Sequence, residues 1–351
     1  MTAGLGSSVQ TVAGPVARGD LGIVLPHEHL FIDLRNQFTP FADPEKDRIS
    51  REPVSMTNLG WLRRNPYAVR DNLALDDPDL VARELEPFRL LGGRTVVDCT
   101  SIGIGRDPIR LCEIAEASAL NIVAGCGYYT RDTHPSELAR RCAGEIAEQI
   151  VRDLTEGIDG TGIRAGVIGE IGLGWPVHAD EWKVLDAAAV AHGETGAPVY
   201  VHLYPWCGAG ADAADFLLKR GTRPTKVVIC HSDAQPEPGY MERVLERGVF
   251  LEFDNFGKEF WIDPEERGFA GGVFMRDCER VDALRALVDK GFAGRLLIAN
   301  DICLKSMLHA YGGWGYDHIL RHIVPMMLHA GIAQADVDRI VLHNPPELLA
   351  G

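Results

Sequence analysis

Eight short runs of β-branched and apolar residues punctuate this chain, and a polar or glycine-rich loop and a helix-period segment follow most of them. They are "GIVL" (22–25), "RTVVDCT" (94–100), "NIVAGCG" (121–127), "AGVIGEIG" (165–172), "APVYVH" (197–202), "TKVVICH" (225–231), "GVFLEF" (248–253) and "RLLIAND" (295–301). Near-continuous apolar runs suit strands covered on both faces, as in a parallel sheet. Between them, "DPDLVARELEPFRLLG" starts acidic and ends at Gly92, and "DEWKVLDAAAVAHGETG" and "RVDALRALVDKG" follow the same helical pattern. Eight alternating units predict an α/β fold, a (β/α)8 TIM barrel rather than an open doubly wound sheet. No GxGxxG follows the first strand, which argues against dinucleotide binding.

At 351 residues the chain fits one such barrel domain spanning 1–351. Residues 36–75, between the first and second strands, break the rhythm and read as an insertion that caps the barrel or contacts another subunit. A formal net charge of −15 without a basic cluster argues against a nucleic-acid or anionic-membrane surface. No apolar run approaches the ~18 residues of a membrane span. The opening "MTAGLGSSVQTVAGP" lacks the pattern of a secretory leader, and the eight cysteines are scattered without a CxxC pair. A reduced, cytoplasmic protein is expected.

Catalytic groups of such barrels sit at the C-terminal strand ends. Here these are His27 and His29 after strand 1, Glu170 on strand 4, His202 on strand 5, His231 after strand 6 and Asp301 after strand 8. Four imidazoles and two carboxylates are donors for borderline divalent metals. Residues i and i+2 share a strand face, so His27 and His29 point inward together and Glu28 points away. With Asp301 they would hold one ion, His202 and His231 a second, and Glu170 would bridge the two. An acidic residue in "GVIGEIG" must be paired, protonated or metal-bound if it faces the barrel interior.

With these residues placed, the chain resembles the phosphotriesterase family of the amidohydrolase superfamily. The resemblance runs through "VQTVAGPV…LGIVLPHEHL", "GEIG", "VH", "CHSD" and "IAND". Within that family "DGTGIRAGVIGEIGLGWP", "FLEFDNFG", "LLIANDICLKSMLHAYGGWGYDHIL" and "IVLHNPPELL" look most like the phosphotriesterase-related, or resiniferatoxin-binding-like, branch. The resemblance implies a binuclear centre at the C-terminal face of the barrel, with zinc, or else Mn2+, Co2+ or Fe2+, on the residues named above, and a homodimer. Many members bridge their metals with a carbamylated lysine, and Glu170 stands at that position. Organophosphate-hydrolysing members carry Asp–His after strand 7 and lactonases Asp–Arg, whereas this chain has Asp254–Asn255. Asparagine cannot relay a proton as imidazole does, which weakens phosphotriester hydrolysis as the native activity even with Asp233 present.

The implied reaction is hydrolysis of a carboxyl-derived bond, a small N-acyl amide or a lactone, by a hydroxide shared between the metals. Asp301 would take its proton and pass it to the leaving group. Tyr129 reads either as a hydrogen-bond donor to the acyl oxygen or the bridging hydroxide, or as rim packing. Trp175 and Tyr204 fall on loops that could line a small-molecule cleft, with Asp254 and Asn255 beside them. Lys258 and Lys305 read equally as solvated lysines or as cations for a carboxylate or sulfonate. Phosphotriesterase activity, as main or side reaction, and a barrel that binds without chemistry are the alternatives.

Overall fold

A computed structural model describes residues 8–234, 237, 239–263 and 272–350. Eight parallel strands form one sheet in sequence order: β1 (Ile23–Glu28), β2 (Gly93–Asp98), β3 (Asn121–Cys126), β4 (Val167–Leu173), β5 (Val199–Leu203), β6 (Val227–Ile229), β7 (Phe250–Phe253) and β8 (Leu296–Ile298). The helices that return the chain between strands include α1 (Pro78–Leu90), α2 (Pro108–Ser118), α3 (Ala143–Thr155), α4 (Ala179–Thr195), α5 (Gly210–Leu218), α6 (Tyr240–Leu245) and α7 (Asp277–Asp289). The architecture is the expected (β/α)8 barrel. Asp77 and Asp107 cap α1 and α2 by accepting backbone N–H groups of the first turn, each followed by proline at the first helical position.

Each strand is apolar on both faces because each face has its own core. Val24, Val97, Val123, Val167, Tyr200, Val228, Phe250 and Leu297 pack with one another inside the barrel. Their neighbours Leu25, Val96, Ile122, Ile168, Val201, Ile229, Leu251 and Ile298 belong to the larger cluster shared with the helices. The end of the barrel opposite the candidate site is closed by the antiparallel hairpin Ser8–Thr11 and Gly14–Ala17, whose Val9 joins the interior, and by Leu348 and Leu349 of the last helix.

The seam between β8 and β1 is held differently from the other joints. Asp301 N donates to His27 O at 3.2 Å. The buried Glu28 carboxylate accepts Asn300 N, Asn300 Nδ2 and Ile302 N, all at 2.9 Å. Glu28 thus faces away from the histidines beside it and fastens the last strand to the first.

Strict alternation from Val24 would turn His27 outward, and alternation from Val167 would do the same to Glu170. Register shifts between Leu25 and Glu28 and between Ile168 and Ile171 reset the parity and aim both side chains inward. The segment after β1 crosses the barrel mouth. Ile32–Asp33 pairs with Ala74–Leu75, and Ser306 N donates to Asn72 Oδ1 at 2.7 Å. Among the described residues no helix is long and apolar enough to cross a membrane. All eight cysteines are free thiols.

Candidate active site

The six sequence-predicted ligands converge at the C-terminal end of the barrel around one carboxylate. Glu170 Oε1 lies 3.4 Å from His29 Nε2, and Glu170 Oε2 lies 3.5 Å from His27 Nε2. The same Oε2 is 3.2 Å from His202 Nδ1 and 3.4 Å from His231 Nε2. Asp301 Oδ1 completes one side at 3.1 Å from His29 Nε2 and 3.9 Å from His27 Nε2. His202 and His231 approach within 2.8 Å through ring nitrogens. All six are buried.

Local backbone supports this convergence. His231 and Asp301 follow the short strands β6 and β8 with φ of 53° and 48°, the left-handed region that non-glycine residues rarely occupy. Gly172 of "GEIG" is required by a close approach: a Cβ there would lie 2.2 Å from Thr130 N and 2.3 Å from the carbonyl carbon of Tyr129. That contact brings Tyr129 over β5, where its Oη stands 3.2 Å from the His202 ring nitrogens.

Three of the imidazoles are held from behind. His27 Nδ1 lies 2.9 Å from Glu252 Oε2, His29 Nδ1 2.8 Å from Thr100 Oγ1, and His231 Nδ1 2.9 Å from Asp254 Oδ1. Such partners fix the tautomer and leave the other nitrogen free to coordinate. Sequence reasoning missed Glu252 and Thr100. The signal for Glu252 was present, since an acid at an interior position of "GVFLEF" raises the same question as Glu170.

The charges are strongly coupled. Burial alone would lower His29, but the Asp301 and Glu170 carboxylates raise it to about 9. Burial opposes and Asp254 with Glu170 overrides it at His231, which reaches about 10. Burial would raise Asp301, yet Lys258 and His29 hold it at about 2.

A concentration of donors and acceptors this dense suits a metal centre. His27 Nε2 is buried and has no hydrogen-bond partner. His27, His29 and Asp301 offer ligand atoms within 4.8 Å of one another, as do His27, Glu170 and His231. Nitrogen and carboxylate oxygen are the donor types of zinc-class sites. The residues therefore fit a metal.

A cleft enclosing about 590 Å³ of atom-free space opens onto this cluster. Tyr129, Asn255 and Lys258 line it, and the Lys258 ammonium is paired with Asp301 Oδ2. Asp233 and Asp254 stand behind the wall. Asp254 backs His231, and Asp233 accepts Asn255 Nδ2 at 2.6 Å and Arg280 Nε at 2.8 Å. Trp175, Tyr204 and Lys305 are not among the residues lining the cleft. Trp175 is 60% exposed, and Lys305 Nζ is taken by Asp71 Oδ1 at 2.6 Å. Pro66 and Tyr67, from the segment over the mouth, line the cleft with Phe260, Phe274 and Cys303. None of these five was singled out in the sequence.

The phosphotriesterase family's sequence profile matches residues 7–349. The chain belongs to that family. It is 38% identical over 348 residues to N-acetyltaurine hydrolase of Salmo salar and 39% identical over 349 residues to that of Tetraodon nigroviridis, with 98% of each chain covered. The crystal structure of a resiniferatoxin-binding protein from Rhodobacter sphaeroides superposes with a TM-score of 0.94 at 36% identity, covering 98% of this chain and 95% of that one. Phosphotriesterase-family proteins are metal-dependent, and this member is a hydrolase whose His, Glu and Asp cluster can bind metal.

Proposed function

We propose that this hydrolase cleaves a small N-acyl amide whose amine portion ends in a sulfonate or carboxylate, N-acetyltaurine being the simplest example. One observation carries the reading. Among the described residues that line the cleft, Lys258 is the only lysine or arginine, and it stands against Asp301 beside the imidazole cluster. An anionic substrate would meet its ammonium there, while Phe260, Phe274, Ile32 and Leu34 cover the uncharged part. The names of the relatives support an amide over a lactone.

In this reading His27, His29 and Asp301 would hold one divalent ion and His202 and His231 another, with Glu170 available to both. Zinc suits the donors best. Bound ions would supply a hydroxide at neutral pH and a Lewis acid for the acyl oxygen. This chain's own residues do the rest. Tyr129, buried with its phenol kept protonated by burial, offers an O–H to the acyl oxygen. Asp301 accepts the proton released on attack and returns it to the leaving nitrogen. Lys258 orients the far end.

Metal analysis followed by a panel of N-acetyltaurine, N-acyl amino acids, lactones and a paraoxon-like triester tests the proposal. The highest kcat/KM is expected for an anionic amide. A lactone or triester turned over about ten times faster than every anionic amide would overturn it. Two metals with no turnover at all would favour a binding protein.

A further inference from the structure

Asn255 lies on the loop after β7, is 2% exposed and lines the cleft with Lys258, Glu170, His202, His231 and Asp301. Its backbone N donates to Asp233 Oδ2 at 3.2 Å. Its Nδ2 donates to Asp233 Oδ1 at 2.6 Å and to Asp254 Oδ1 at 3.1 Å. Two carboxylates on one side of the amide settle its orientation, because a flipped side chain would set its oxygen against both of them. Asp233 is itself anchored by the fully buried Arg280, whose Nη1 and Nη2 donate to Asp277 Oδ1 and Lys258 O. The amide is therefore held rigidly.

What remains is Oδ1. It accepts no hydrogen bond among the described residues, and it is not one of the sealed, unpartnered atoms. It is an acceptor in a buried side chain that lines the cleft, left over where both carboxylates take the N–H side of the amide. Donation by Nδ2 to two anions polarises the amide and strengthens that acceptor. A preorganised acceptor asks for a donor. Acceptor atoms of a substrate placed there would face it lone pair to lone pair.

We infer that Asn255 is a specificity-determining residue whose Oδ1 accepts the N–H of the scissile amide, so that the site selects secondary amides over esters and lactones. The inference rests on the amide reading above and adds the contact that distinguishes amide from ester. In the reaction, hydroxide joins the acyl carbon and the C–N bond breaks with its electron pair going to nitrogen. The proton that Asp301 took from the added hydroxyl ends on that nitrogen. The N–H held by Asn255 is the substrate's own and stays in place throughout. Holding it directs the nitrogen lone pair away from Asn255 and leaves it open to Asp301.

Three inhibitors that differ at one atom test this: a phosphonamidate (P–NH), a phosphonate ester (P–O) and a phosphinate (P–CH2), each with the same sulfonate tail. Their dissociation constants are measured by calorimetry on the metal-loaded enzyme. The P–NH compound is expected to bind on the order of 10²-fold more tightly than P–O, with P–CH2 between them. In Asn255→Leu the P–NH to P–O ratio should fall to within about threefold. Should that variant fail to fold, the wild-type series alone decides. Equal binding of P–NH and P–O by the wild-type enzyme overturns the role of Asn255 and leaves the amide reading standing. If none of the three binds while a neutral lactone is hydrolysed, the amide reading fails and takes this inference with it.

Discussion

His27 Nδ1 and Glu252 Oε2 stand 2.9 Å apart, and neither side chain is exposed to solvent. Glu252 thereby sets the histidine's tautomer and leaves Nε2 facing Glu170 and Asp301. Replacing Glu252 with Leu should weaken metal affinity about 10- to 100-fold. Leaving His27 Nδ1 buried without its partner should also cost about 3–5 kcal/mol of stability, so circular dichroism first confirms that the variant is folded. Competition with a chelator reads the affinity, and an unchanged value would show that His27 orients itself.

Asp301→Asn keeps an oxygen beside His29 and removes the proton acceptor. We predict that kcat falls by about 10²- to 10⁴-fold, with metal stoichiometry retained. Near-wild-type turnover at full metal content would assign the proton to another group.

Glu170 is a carboxylate already, and His202 and His27 hold it well below the usual range against the opposing effect of burial. It needs no carbon dioxide to become an anion. Reconstitution of metal-free enzyme should therefore reach the same specific activity with or without added bicarbonate. A strong bicarbonate requirement would exclude Glu170 as the bridge.

Lys258→Met removes the only lysine or arginine side chain among the described residues lining the cleft. Charge-assisted hydrogen bonds contribute about 1.5–3 kcal/mol. The preference for N-acetyltaurine over an uncharged N-alkyl acetamide of equal length should fall roughly 10- to 100-fold. Parallel kcat/KM measurements on the two substrates give this ratio. An unaltered preference would place anion recognition elsewhere.

Asp277 ties together three parts of the molecule: it accepts Arg280 Nη1 at 2.9 Å, His318 Nε2 at 2.7 Å and Gly257 N at 3.0 Å. Burial would raise its pKa, but His318, Gly257 N–H and Arg280 hold it below the ordinary value. A carboxylate lowered by folding binds fewer protons native than unfolded. Its contribution is complete above the unfolded pKa of about 3.9 and is lost as pH falls through the folded value. Asp277→Asn should cost about 3 kcal/mol at pH 7, and the gap from wild type should narrow as pH falls below about 3.9. Urea unfolding of both proteins across that range checks the sign.

The sequence made the barrel readable because parallel strands buried on both faces leave uninterrupted apolar runs. Their terminal polar residues stood out against them. Glu170 was conspicuous for that reason, and Glu252 should have been. Loop residues were harder. Lys258 and Lys305 both follow strands at the mouth, but only the path of residues 70–73 shows that Asp71 draws Lys305 away from the cleft. Tyr67 comes from a segment with no periodicity, so nothing local pointed to the wall it forms. Asp233 sits beside a strand-end histidine, as a proton relay would. Its partner Arg280 lies on a distant helix, and that pairing is visible only in three dimensions.

Glu28 fastens β8 to β1, and the candidate ligands His27, His29 and Asp301 flank that same joint. An ion shared by these three would act as a rivet through the place where the two ends of the barrel meet. The site cannot exist in a nascent chain until its eighth strand has emerged from the ribosome. Tight cation capture would then report that the ring has closed, so the centre assembles only once the last strand of the sheet has met the first.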